Sequence, residues 1–191
     1  MQFSIFKNQL SSWQGRSLII GLNNDYIDSQ LEAIDFIVES KQLLKKLNNK
    51  NFKGETGSLI SLEMLGHNLD TITIIGLGNK SEINSDVLRN SLSECIRKVV
   101  DKEEKIGILM PWDALDNNAI YDIAETLRLS IYKDNRFNKK RDEKINLKEV
   151  EFLNLENIEN ISFKEVEDIC QGVEFARKLV AAPPNDLTPL E

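Results

Sequence analysis

Histidine is almost missing from this chain: His67 is the only one in 191 residues. Cysteine is nearly as scarce, with Cys95 and Cys170 alone. A structural zinc site takes four cysteine or histidine ligands and a catalytic one about three protein ligands, so no histidine-based metal centre can be assembled from this set. A serine or cysteine nucleophile fares no better. His67 would have to be its base, and no G-x-S-x-G elbow occurs. His67 is therefore expected to be a surface turn residue between Gly66 and Asn68. Cys95 and Cys170 fall on apolar helical stripes, where a small buried thiol rather than a disulfide is expected.

Long apolar runs are also lacking. No stretch approaches the ~20 apolar residues of a membrane span, and the opening MQFSIFKNQLSSWQGR contains no signal-peptide core, so a cytoplasmic location is expected. Positive charge is in deficit, with 24 Lys and Arg against 31 Asp and Glu, a net charge of −7 and a pI near 5.0. The averaged field repels phosphate backbones and anionic headgroups, which disfavours nucleic acid and membrane partners. The most basic stretch, residues 133–148, interleaves Arg136, Lys139, Lys140, Arg141 and Lys144 with Asp134, Asp142 and Glu143 around a single ring, Phe137. It lacks the aromatic platform of a single-strand binding site and reads as a solvated loop.

What remains is a chain long enough for one sizeable core. β-rich runs alternate with helical periodicity, which predicts an α/β fold with a mixed sheet of about six strands flanked by helices. The strands are placed at residues 2–6, 17–22, 58–62, 71–75, 105–110 and 149–155. The first and last alternate polar and apolar residues and are expected toward the sheet edges, each with one wet face. The runs at 71–75 and 106–110 read as more central.

Four helices fit between and after the strands. The first is expected to open at Ser29 with Glu32 as capping partner, run toward Leu47 and break near Ser40. The second follows Asn84 or Ser85 and lines up Leu88, Leu92, Cys95, Ile96 and Val99 on one face. The third aligns Ile120, Ile123, Ala124, Leu127 and Ile131. The fourth starts at Ser162 with Glu165, aligns Val166, Ile169, Cys170, Val173, Ala176 and Val180, and ends before Pro183-Pro184. Gly172 within it costs ~1 kcal/mol relative to alanine, which suggests close approach of another backbone.

Gly76 and Gly78 follow a buried strand and lead toward a helix, so their amides form a candidate phosphate cradle. The third glycine of a dinucleotide fingerprint is absent, and so is a G-K-[ST] motif. The plainer reading is a pair of glycines that lets the chain leave the sheet. A binding module for a phosphorylated ligand stands as the second functional reading.

Three motifs carry a family resemblance. Ala176, Arg177, Leu179, Val180, Pro183, Asn185, Asp186, Leu187, Thr188 and Pro189 resemble the A-R-D-L-V-N-T-P-x-N-D-L-T-P junction of the leucyl aminopeptidases, also called cytosol aminopeptidases. Ala181 and Ala182 depart from it, standing where Asn and Thr are usual. Phe52-Lys53-Gly54-Glu55-Thr56-Gly57 resembles the family's F-K-G-x-x-G turn, and Ile74-Ile75-Gly76-Leu77-Gly78 its strand ending in G-L-G.

The resemblance implies a non-catalytic amino-terminal domain of macro-domain-like fold at residues 1–160, a connecting helix at 161–182, and a junction with the first turn of a catalytic domain at 183–191. Thr188, Pro189 and Glu191 read as the start of a further helix, so the chain is expected to be a piece of a longer enzyme. It further implies that the whole enzyme is a metal-dependent exopeptidase that releases amino-terminal residues from peptides. Two divalent ions, manganese or zinc, would be held outside these residues. A homo-hexamer is implied for the full length, with a monomer or dimer, disordered after Pro183, for this piece alone. No catalytic, cofactor-binding or metal-binding residue is assigned within the 191.

Overall fold

The computed structural model describes residues 1–35, 39–64, 69–116, 118–134, 145–155 and 161–183. Strands β1 (Gln2–Ile5), β2 (Ser17–Leu22), β3 (Leu59–Glu63), β4 (Thr71–Gly76), β5 (Lys105–Leu109) and β6 (Glu149–Phe152) form one sheet in the order β1-β6-β5-β2-β4-β3. Every pairing is parallel except β3 with β4. The reason lies in the runs themselves. SLIIGL in β2 is buried at all six positions, as a parallel strand covered on both faces must be.

Helices α1 (Ile27–Glu32) and α2 (Ser40–Asn49) cover one face of the sheet, while α3 (Ser85–Val99), α4 (Ala119–Ser130) and α5 (Phe163–Ala181) cover the other. Alternation along β2 divides the core. Leu18, Ile20 and Leu22 pack with Leu31, Leu43 and Leu47, whereas Ile19 faces Leu92, Ile96, Ile123 and Leu127. The expected stripes of α3 and α4 are buried throughout. Asn84 caps α3, its side-chain oxygen accepting from the amides of Asp86 and Val87 at 3.0 and 3.1 Å.

Three local expectations need correction. Strand β1 is an edge, but β6 lies between β1 and β5, and the second edge is β3. The polar alternation of β6 has an internal cause: Glu151 accepts from the Trp13 indole at 2.8 Å and pairs with Lys105 at 2.9 Å. Helix α1 is capped three residues earlier than expected, with Tyr26 at its N-cap, and Ser29 donates to the Tyr26 carbonyl instead of capping. The Ser162–Glu165 box is likewise not formed, since Ser162 makes no side-chain cap bond. The break before Ser40 has a clear origin, because the Asp35 carboxylate accepts from the Ser40 amide at 2.8 Å and so starts α2 afresh. That bond, with the Ser40 hydroxyl on the same carboxylate, holds the Asp35 pKa below its ordinary value.

Candidate functional site

The two upstream motifs meet at the carboxyl end of β4. The turn at residues 54–58 lies directly on the G-L-G segment, and the backbone groups there pair with one another. The amide of Gly76 donates to Ser58 O at 2.8 Å, that of Leu77 to Leu22 O at 2.8 Å, and that of Gly78 to Gly54 O at 2.9 Å. Gly57 returns a bond to Gly76 O at 3.0 Å. A phosphate cradle needs free amides, and these three are spent. The glycines serve packing instead: a Cβ at Gly76 would sit 2.2 Å from the Glu55 carbonyl oxygen, and one at Gly78 would sit 2.2 Å from Thr56 Oγ1. Gly54 and Gly78 also adopt φ of 71° and 75°.

A concavity lies elsewhere among the described residues. A cleft of about 520 Å³ opens at the carboxyl ends of β2 and β5. Ile20, Leu22, Met110 and Ile120 form its buried floor, and Gln30, Trp112, Asp113, Asp116 and Asn154 reach its walls. The Trp112 indole is fixed by donation to Leu153 O at 2.7 Å. Gln30 is committed to Asn23, donating to its side-chain oxygen at 2.5 Å and accepting from its backbone amide at 3.2 Å. Sequence reasoning missed these residues. The legible signal was the Pro111-Trp112-Asp113 step directly after a buried strand, where α/β folds leave their crevices.

Cys95 and Cys170 are both buried and unbridged, as their stripes implied. Burial pushes the Cys95 thiol up to about 12 and the Cys170 thiol up to about 11. Neither has the lowered pKa of a nucleophile. Among the described residues no three His, Cys, Asp or Glu side chains come together as a metal site. His67, Arg136, Phe137, Lys139, Lys140, Arg141, Asp142, Glu143, Lys144, the junction from Asn185 to Glu191 and the disorder expected after Pro183 lie outside the described residues.

Helix α5 presents two apolar faces. Val166 and Cys170 are buried against α4, and Arg128 clamps the helix through Glu174, to which it donates at 3.0 and 3.3 Å. Arg177 donates to Leu129 O at 2.8 Å and lies over the Tyr132 ring. The other face is bare: Ile169 is 46% exposed, Phe175 62%, Leu179 38% and Val180 88%. Gly172 lies on this face, and a Cβ there would meet nothing within 4 Å. The backbone partner expected for it is not among the described residues.

Among the described residues no helix is long and apolar enough to cross a membrane. The profile of the cytosol aminopeptidase family's N-terminal domain matches residues 19–141. A protein named "Probable cytosol aminopeptidase" from Prochlorococcus marinus (strain MIT 9312) is 56% identical over 192 residues, covering 100% of this chain and 39% of its own length. The chain thus spans well under half of the curated relatives it matches. Among solved structures, a mutant of tomato leucine aminopeptidase superposes with a TM-score of 0.80 at 22% identity, over 100% of this chain and 40% of that one. The bottromycin maturation enzyme BotP in complex with Mn gives 0.60 at 14% identity, over 92% of this chain and 34% of the other. Both likenesses speak to the fold.

Proposed function

The chain belongs to the cytosol aminopeptidase family as its amino-terminal domain, and from that premise we propose that it is the non-catalytic part of a two-metal exopeptidase acting on the amino termini of peptides in the cytoplasm. Residues 1–160 make up the α/β domain, 161–182 the connecting helix and 183–191 the junction to a catalytic domain. That second domain holds the divalent ions, manganese or zinc, and supplies the core of a homo-hexamer. The role of the present domain is structural, contributing to assembly and to access to the active site.

The bare face of α5 is the observation that carries this reading. Ile169, Gly172, Ala176 and Leu179 recur at helical spacing, so one side of the helix carries unpartnered apolar area while the opposite side is fastened to α4. The rest of the longer protein is the occupant that the relatives' length supplies.

Two measurements test the proposal together. Hydrolysis of leucine p-nitroanilide with manganese or zinc is expected from the full-length gene product and not from the 191-residue chain, and light scattering should find the chain monomeric or dimeric. Intrinsic turnover by the chain, or a stable hexamer of it, overturns the division of labour. Gly172→Ala probes the seam itself. It should stabilise the isolated chain by about 0.5 to 1 kcal/mol, because an exposed helical glycine gains from a methyl group. The same change should destabilise the full-length enzyme, where a neighbour must come close.

A further inference from the structure

The cleft at the ends of β2 and β5 exists because adjacent parallel strands send their following helices to opposite faces of the sheet. β2 leads to α1 beneath Leu18 and Ile20, and β5 leads to α4 above Ile19 and Ile108. Such a divergence is where open α/β sheets bind ligands, and about 520 Å³ is within the usual range for a small-molecule site. Its lining selects by charge. None of the lining residues is Lys, Arg or His, so nothing there balances a phosphate or carboxylate.

Two carboxylates face the opening. Asp113 is already paired with Lys80 at 3.0 Å. Asp116 is different: one oxygen accepts from the Asn118 amide at 2.8 Å, and the other takes no partner among the described residues. The half-buried Trp112 also lines the cleft: its indole nitrogen donates to Leu153 O and its ring packs against the core beside Phe152, centroids 6.1 Å apart, so that it adds an apolar wall to the cleft.

We propose that this cleft binds a primary ammonium that carries an apolar side chain and no adjacent anion, as the free amino terminus of a peptide does. The ammonium sits on the unpartnered oxygen of Asp116, and the side chain lies against Trp112 and Met110. The net charge of −7 favours approach of such a cation. This site is separate from the catalytic reading and stands or falls on the 191-residue chain alone.

Titration of the chain with phenylalaninamide, followed by amide and indole NMR, tests it. Saturable shifts are expected at Leu22, Met110, Asp113 and Leu115 and at the Trp112 indole. N-acetylphenylalaninamide, which lacks the ammonium, and free phenylalanine, which adds a carboxylate, should each bind at least about five-fold more weakly. Asp116→Asn keeps the oxygen that accepts from Asn118 and should weaken phenylalaninamide about five-fold. Ala33→Phe, a change at an exposed rim position, should plug the cleft and remove the shifts while the rest of the spectrum is preserved. Equal binding of the acetylated probe, no effect of Asp116→Asn, or no saturable shift with millimolar phenylalaninamide overturns the proposal.

Discussion

Replacing Gly76 by alanine isolates the steric part of the motif interlock. Gly76 lies outside the left-handed region, so the substitution carries no conformational penalty of that kind. Its new methyl group would stand 2.2 Å from the Glu55 carbonyl oxygen, 2.2 Å from Ser58 Oγ and 2.7 Å from the Gly54 carbonyl carbon. The Ser58 hydroxyl can rotate away, losing its bond to Glu55 O. Main-chain atoms cannot. Relief requires the 54–58 turn to move by roughly an ångström against the bonds from Gly78 to Gly54 and from Gly57 to Gly76.

Overpacking of this kind costs about 1 to 3 kcal/mol, and loosening one of those bonds adds about 1 kcal/mol, so about 3 kcal/mol is expected. For a chain of this size that lowers Tm by about 6 to 12 °C. Gly57→Ala is the matched control, since Gly57 has φ 77° and nothing within 4 Å of its added Cβ. It should cost only the left-handed penalty of about 1 to 2 kcal/mol. Urea unfolding followed by tryptophan fluorescence compares the two, with Trp13 only 6% exposed and so a sensitive reporter. A midpoint loss for Gly76→Ala no larger than that for Gly57→Ala would refute the interlock.

Two further outcomes follow from the core. Leu92, fully buried between α3 and the sheet, should cost about 2 to 5 kcal/mol on replacement by alanine, and an unchanged denaturant midpoint would show the helix face to be misread. The buried thiols predict a pH dependence. Burial raises their folded pKa values above the ordinary 9.0, so their contribution is fully present below about pH 9 and is lost as the pH rises toward about 11 and 12. Cys95→Ala with Cys170→Ala should flatten the decline in stability above pH 9, and a decline of equal steepness in that double variant counts against burial as its cause.

How much of this was legible in the residues depended on where the cause lay. Strands β2, β4 and β5 and helices α3 and α4 were readable because their patterns report burial directly, and burial is what placed them. Edge positions were legible only in part, since β1 is an edge but β6 is not. The alternation of β6 reads as solvent on one face, yet its Glu151 is turned toward Trp13 and Lys105, partners 138 and 46 residues away in sequence. The α1 start failed for a similar reason: a serine hydroxyl with a carbonyl three residues back competes with capping.

The family motifs illustrate the opposite case, in which local signals were present but their meaning lay in contact. F-K-G-x-x-G and G-L-G invite separate readings, a turn and a phosphate loop. Once folded, the Gly78 amide donates to Gly54 O, and Gly76 accommodates the turn above it. Glycines there are explained by mutual exclusion of side chains, which also removes the amides any anion would have used. The cleft was invisible for the complementary reason. Its residues come from four separate segments, around Ile20, Gln30, Trp112 and Asn154, and only the crossing of β2 and β5 toward opposite helical layers assembles them. A binding surface created by topology leaves no spacing in sequence, so it must be sought where strand connections diverge.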